Sequence, residues 1–357
     1  MPSLNLSLED GQSYPIQIER GLLKNCGTAI SSLVPPCHVM LVSDENVAPL
    51  YLETAAESLK SAGFTVHKKI FPAGEPTKSL PVLGELLEAM ADARLTRTDL
   101  AVSLGGGIIG DLTGFAAGCY LRGIRFVQIP TTLLAAVDAS VGGKTAINLP
   151  QGKNLAGLFH QPSAVLCDPD TMGTLTPLCR ADGAAEAIKT GILGDTSLFE
   201  LFESEDRTAA DTDYTEIIAK SVAYKAKIVS EDPTEKGVRK LLNLGHTPAH
   251  AIEILSSFEI SHGHAVGIGI AMMTRAAKKV GIIKNCDAER ILDTLRRNNL
   301  PIDCPFSAKE MAEIAQSDKK AANTSITVIL PEEIGKCRME KIPRTELEQL
   351  FQDGLEG

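Results

Sequence analysis

Four of the chain's seven histidines, at 246, 250, 262 and 264, crowd into the stretches LLNLGHTPAHAIE and SHGHAVGIG. A lone histidine on an apolar face is usually a core residue, but four this close point to a metal, for which neutral imidazole is a common ligand. A carboxylate would complete a donor set like those that hold a catalytic zinc ion with one position open. Glu186, in DGAAEAIKTG, is the candidate. The small apolar residues around it imply a buried helix, where an ionised Glu needs a cation or a metal. Lys189, three residues on, shares its face. By spacing alone His246 and His250 form the natural ligand pair, because positions i and i+4 share a helix face, as in H-E-x-x-H.

A second constellation is built on glycine. SLGGGIIGD (103–111) places Gly105, Gly107 and Gly110 in the G-x-G-x-x-G pattern after an apolar run. Such a turn lets backbone approach a pyrophosphate at a helix N-terminus. SDENV (43–47) offers Asp44 and Asn46 for ribose or adenine groups, and PAGEPTK (72–78) offers Glu75 and Lys78. Three polar loops after successive strands suit a dinucleotide lying over a sheet edge. Arg122, Lys144, Lys153 and Asn154 then cluster in YLRGIRF and SVGGKTAINLPQGKNLAGLF. Cations beside glycine bends commonly grip phosphate or carboxylate. They stand out in a chain of net charge −10.

The elements that must position these groups change character along the chain. Strand-like PCHVMLVSDEN, FTVHKKIF, DLAVSLGGG, VQIPTTLLAAVDAS and AVLCDPD are interleaved with helix-like LYLETAAESLKSAG and LPVLGELLEAMADARL. That alternation predicts an α/β Rossmann-like domain with a parallel sheet over residues 1–170. Beyond it, RADGAAEAIKTGIL, YTEIIAKSVAYKAKIVSED, HAVGIGIAMMTRAAKKVG and AERILDTLRRNNL all favour helix, and SITVILPEEIGKC reads as a late strand or hairpin. The expectation is a mostly α-helical domain over 171–357 that carries the metal and the substrate. Only 4% of residues are aromatic, with no Trp, which together with the negative charge argues against nucleic-acid or membrane partners. The eight cysteines include no C-x-x-C pair, the N-terminus has no signal pattern, and no apolar stretch would span a bilayer; a cytoplasmic enzyme is expected.

In order along the chain, GGGIIGD, RGIRFVQIPTTLLAAVDASVGGKTAIN, GKNLAGLF, AEAIKTG, GVRKLLNLGH and HAIE resemble the motifs of the 3-dehydroquinate synthase family of sugar phosphate cyclases, over roughly residues 40–340. The resemblance implies a Rossmann-like domain binding NAD, a helical domain binding Zn²⁺ or Co²⁺, and a homodimer. It implies Glu186, His246 and His262 as metal ligands. Asp44, Asn46, Glu75, Lys78, Gly106, Gly107, Asp111, Thr131 and Thr132 match NAD contacts, and we also place Lys144 and Lys153 against the cofactor. Asp138, Lys144, Asn154, Lys189, Lys225, Arg239 and Asn243 match substrate-site residues, as does Arg122, which the family directs toward the partner subunit. His250 matches a histidine at the substrate phosphate, in conflict with the spacing argument. Lys320 is a weaker match to a late phosphate contact. The implied substrate is a phosphorylated sugar acid, 3-deoxy-D-arabino-heptulosonate 7-phosphate, whose C5 hydroxyl is transiently oxidised so that phosphate can be eliminated. The carbocycle of 3-dehydroquinate then closes by an aldol step.

The chain departs from the family at HGH, where His264 replaces a Glu, and at Leu244, Pro248 and Ala249. His264 is expected near the metal without being essential to it. Pro248 predicts a helix start or a kink between His246 and His250. The competing readings are another sugar phosphate cyclase, a metal-dependent NAD(P) polyol dehydrogenase, and a non-catalytic NAD-binding protein.

Overall fold

The computed structural model describes residues 3–8, 11–317 and 324–356, so Lys320 lies outside the described residues. The chain forms two compact units, Met1–Leu175 with Asp213–Thr234, and Thr176–Thr212 with Glu235–Gly357. Where the sequence suggests one boundary at 170/171, both units are discontinuous.

The first unit opens with β1 (Ser3–Ser7) and β2 (Ser13–Ile18), followed by α1 (Cys26–Ser31), β3 (His38–Asp44), α2 (Glu53–Ser61) and β4 (Thr65–Phe71). It continues through α3 (Leu80–Asp92), β5 (Leu100–Gly105), α4 (Gly107–Cys119), β6 (Arg125–Pro130), β7 (Lys144–Leu149), β8 (Gly152–Phe159) and β9 (Ala164–Cys167). One seven-stranded sheet runs β1-β2-β9-β6-β5-β3-β4. It is parallel except at its edge, where β1 pairs antiparallel with β2. Both faces are covered. Val39, Leu41, Val102 and Val127 pack toward α1 and α2, while Met40, Val42, Ala101 and Phe126 pack with side chains of α3 and α4. This explains why β3 reads as a continuous apolar run rather than an alternating one. β7 and β8 form a separate antiparallel hairpin across 144–159, a stretch whose glycines and lysines hide the strand period.

The chain then enters the second unit as α5 (Pro177–Gly194) and α6 (Thr196–Ser204), and returns to the first unit as α7 (Thr215–Glu231). It finishes the second unit with α8 (His246–Leu255), α9 (His262–Lys279), α10 (Asn285–Arg297), α11 (Ala308–Ser317), the hairpin β10 (Ser325–Glu333) and β11 (Lys336–Pro343), and α12 (Leu347–Glu356). The α/β and helical characters therefore match the sequence expectation, and the late hairpin is present. α7 packs on β1, β2 and the turn Ala135–Ala139.

Candidate active site

Three helices of the second unit converge through their smallest residues. A Cβ on Gly263 would lie 2.2 Å from the Asp182 backbone of α5, and one on Gly269 would lie 2.0 Å from the Gly245 carbonyl at the head of α8. This closeness gathers Glu186 of α5, His246 at the start of α8 and His262 at the start of α9. One ligand atom from each lies within 4.8 Å of the others. His262 Nε2 is 3.1 Å, and His246 Nε2 3.5 Å, from Glu186 Oε1. Glu186 Oε2 pairs with Lys189 Nζ, and both side chains are almost wholly buried.

The electrostatics suit a cation. Burial alone would lift the Glu186 carboxyl, but Lys189, His246 and His262 hold it well below the ordinary carboxylate range. Burial first, then Lys189, pushes the His246 pKa down, so this ring is neutral. Its Nδ1 lies 3.1 Å from the Leu244 carbonyl. The tautomer that donates there leaves the Nε2 lone pair facing Glu186. Burial opposes protonation of His262, but the carboxylates of Glu186 and Glu253 on either side of the ring outweigh it and raise its pKa to about 10. An ionised carboxylate and two imidazoles, once a metal displaces the second proton of His262, make the N/O donor set of a three-ligand zinc or cobalt centre.

His250 is outside this group. Its exposed ring stands edge-on to His246, with centroids 5.7 Å apart. Pro248 is the third residue of α8. First-turn N–H groups lack an intrahelical acceptor, so the proline marks a helix start and no kink is required. The first intrahelical bond runs from Ala249 N to Gly245 O, 3.1 Å.

His264 is also outside the ligand group. Its Nδ1 lies 2.9 Å from Asp182 Oδ1, which also accepts from Ser261 Oγ at 2.6 Å and from the His264 backbone N–H at 3.1 Å. A carboxylate at 264 would meet that of Asp182. His264→Glu is expected to forfeit a charge-assisted bond of about 1.5–3 kcal/mol and to lower the melting temperature by several degrees, while one metal per chain is still bound at saturation. His264→Gln, which keeps a donor, should melt closer to the parent. Scanning calorimetry with metal analysis checks both; an unchanged melting temperature in His264→Glu would contradict the Asp182 contact.

The first unit assembles a polar cluster where its parallel strands end. Gly106 caps α4, whose first residue is Gly107. Asp44, at the end of β3, accepts from the N–H groups of Asn46 (2.9 Å) and Val47 (3.1 Å), which fixes that turn. Thr131 and Thr132 follow β6, and Thr132 Oγ1 accepts from Ala135 N at 3.2 Å. Lys78 Nζ donates to Asp111 Oδ2 (2.6 Å) and Asn154 Oδ1 (2.5 Å). Burial lifts the Asp111 carboxyl above its ordinary range despite Lys78. Asn148 Nδ2 donates to Glu75 Oε1 at 2.6 Å, with Lys153 Nζ 3.9 Å from the same oxygen. The cluster thus joins Glu75, Lys78, Asp111, Lys153 and Asn154. Lys144 opens β7 after Gly142 and Gly143, both with positive φ (98° and 66°), the bend expected there.

Lys225 of α7 donates to Asp138 twice, to its backbone carbonyl (2.7 Å) and to Oδ1 (2.8 Å). Both belong to the first unit, whereas the sequence boundary put Lys225 in the helical part. Arg122 is exposed in the turn after α4. Arg239 is buried in the 3₁₀ segment Val238–Asn243, and Asn243 Nδ2 donates to Glu235 Oε1 at 2.6 Å. Sequence reasoning passed over Asn148, Asp182, Glu235 and Glu253. Asp182 and Glu253 had a legible signal, lying four residues before Glu186 and seven after His246, on the ligands' helix faces.

A strand–glycine–helix turn in a doubly covered parallel sheet, carried on one chain with a buried carboxylate–imidazole donor set, defines a class: enzymes that combine a dinucleotide fold with a metal centre. Family models described as 3-dehydroquinate synthase N-terminal and C-terminal match residues 68–179 and 183–321. A 3-dehydroquinate synthase of Microcystis aeruginosa is 42% identical over 332 residues, covering 91% of each chain. The solved structure of ValA, a 2-epi-5-epi-valiolone synthase from Streptomyces hygroscopicus with NAD⁺ and Zn²⁺ bound, is 26% identical with a TM-score of 0.89, over 99% of both chains. A 2-deoxy-scyllo-inosose synthase, solved with carbaglucose-6-phosphate, NAD⁺ and Co²⁺, shares the fold at TM-score 0.87 and 24% identity, over 99% of this chain and all of that one. The chain belongs to the 3-dehydroquinate synthase family, and its activity is that of a lyase. No described helix is long and apolar enough to cross a membrane.

Proposed function

We propose that the protein converts 3-deoxy-D-arabino-heptulosonate 7-phosphate to 3-dehydroquinate and phosphate, with NAD at the strand ends of the first unit and Zn²⁺ or Co²⁺ on Glu186, His246 and His262. The observation that carries this is the convergence of those three side chains within 4.8 Å, with Lys189 paired to the carboxylate, in a chain 42% identical to a 3-dehydroquinate synthase. Bound at these positions, NAD would supply hydride-transfer chemistry and the metal Lewis-acid chemistry at the C5 oxygen of the substrate.

The chain's own residues do the rest. Gly106 and Gly107 let backbone meet the pyrophosphate, Asp44 and Asn46 hold ribose and adenine groups, and Glu75, Lys78, Asp111, Lys153, Thr131 and Thr132 line the remainder. Lys144, Lys189, Lys225 and Arg239 neutralise the substrate's phosphate and carboxylate, with Arg122 supplied from a second copy in a homodimer. Asp138 holds the Lys225 ammonium in place, as its two hydrogen bonds support. Asn154 and Asn243 bond substrate oxygens. His250 donates or relays a proton at the phosphate, which is also the acceptor for the C–H proton; no dedicated base is then needed. Eight free cysteines support a reducing, cytoplasmic setting.

Incubation with the heptulosonate phosphate, NAD⁺ and Zn²⁺ tests the reading. Phosphate should be released over many turnovers, only if NAD⁺ is present, while absorbance at 340 nm stays flat. NADH accumulating one-for-one with substrate consumed would make the protein a net dehydrogenase instead.

A further inference from the structure

His262 lies between two carboxylates. Its Nε2 faces Glu186 Oε1 at 3.1 Å, and its Nδ1 faces Glu253 Oε1 at 3.5 Å. Glu253 is 3% exposed, so its charge is largely withheld from water and needs a partner inside the protein. It stands on α8 seven residues after His246, two helical turns along the same face. One helix therefore carries a candidate ligand and reaches the far nitrogen of another. His246 has an equivalent support, since its own Nδ1 faces the Leu244 carbonyl at 3.1 Å. In both rings an oxygen stands at Nδ1 and Nε2 points to Glu186.

We propose that Glu253 is a positioning residue for the metal centre: by accepting from His262 Nδ1–H it fixes the ring's tautomer and orientation, so that Nε2 is presented as the ligand. A ligating histidine commonly hands its second nitrogen to a carboxylate in this way, and loss of that carboxylate typically weakens metal binding about 10–100-fold. At 3.5 Å the contact is long for a hydrogen bond. Its effect is on how well the site is held, and Glu253 touches no reacting atom. The inference rests on the assignment of Glu186, His246 and His262 as the metal ligands.

The test uses the full-length metal-free protein, with Glu253→Leu and Glu253→Gln beside the parent. Zn²⁺ is titrated against a chromophoric chelator, the visible absorption of the Co²⁺ form is recorded, and thermal unfolding is measured in chelator. The parent should bind one ion per chain; if it binds none, the ligand assignment fails and this proposal with it. With the parent binding, Glu253→Leu should weaken Zn²⁺ binding about 10–100-fold and alter the Co²⁺ band. Glu253→Gln, whose amide oxygen still accepts from Nδ1–H, should weaken it only several-fold, with metal-free unfolding close to the parent. Parent-like affinity and an unaltered Co²⁺ band in Glu253→Leu would overturn the proposal and leave the ligand assignment standing. Should Glu253→Leu not fold, Glu253→Gln decides: parent-like affinity overturns the role, and weaker binding with a parent-like melting curve supports it.

Discussion

His246→Ala yields protein that retains no zinc or cobalt after desalting and has no measurable turnover, whereas His250→Ala retains one ion per chain and its affinity for NAD. This result is expected because spacing and geometry disagree about the pair. They are four residues apart and their rings touch, but only His246 brings a nitrogen to within 3.5 Å of Glu186 Oε1. Glu186 and His262 alone make a two-ligand site, which holds a labile divalent ion poorly. His250 is exposed, and in its proposed role as proton donor at the phosphate its removal should slow elimination by about 10²–10⁴-fold. Elemental analysis of both variants beside single-turnover phosphate release decides the matter. Equal metal loss in the two would mean that the i, i+4 pair is the ligand pair after all.

Lys189→Met is expected to be the most destabilising single change at the site. Lys189 and Glu186 are 2% and 1% exposed, and breaking a buried ion pair by removing one partner typically costs about 3–5 kcal/mol. His262 offsets part of that charge, so we expect a loss of about 3 kcal/mol in metal-free protein, or roughly 4 °C in melting temperature for a chain of 357 residues unfolding as one. Saturating Zn²⁺ should restore a large share of the loss, because a divalent cation beside Glu186 does for the carboxylate what the ammonium did. Turnover should stay low even so, since Lys189 is proposed to meet substrate charge. Thermal unfolding with chelator and with metal separates the two roles. A parent-like melting curve in chelator would show that the pair carries no stability.

Much of this was legible in the residues, and the remainder was not for identifiable reasons. The strands at 38–44 and 100–105 announce themselves because both faces of the sheet are covered, which makes them apolar throughout. The glycine turn before α4 is a local pattern, read from local sequence. The hairpin 144–159 was missed because its lysines and glycines interrupt the two-residue period. The affiliation of α7 was missed for another reason: helical periodicity says that a face is apolar, not which layer it will cover. At the candidate metal site the resemblance named the trio that the geometry gathers, while spacing paired His246 with His250, which the trio leaves out. Spacing along one helix cannot see a residue arriving from another, as His262 does on α9. The same blindness hid the partner of His264, because the carboxylate that holds it, Asp182, lies eighty-two positions earlier in the chain.

The return of Asp213–Thr234 to the first unit has a consequence for how the protein is made. Translation delivers the sheet first, but α7, which packs on β1 and β2 and whose Lys225 secures Asp138, comes off the ribosome only after Thr176–Thr212. Until then the apolar side chains that α7 covers, packed against Ile217, Ile218 and Val222, would lack their partner, the condition under which partly made chains aggregate or engage chaperones. The first unit is therefore complete only after part of the second has been synthesised. A polypeptide released at Leu175 is an unfinished half that should need a chaperone to stay in solution, and supplying 213–234 as a separate peptide should rescue it.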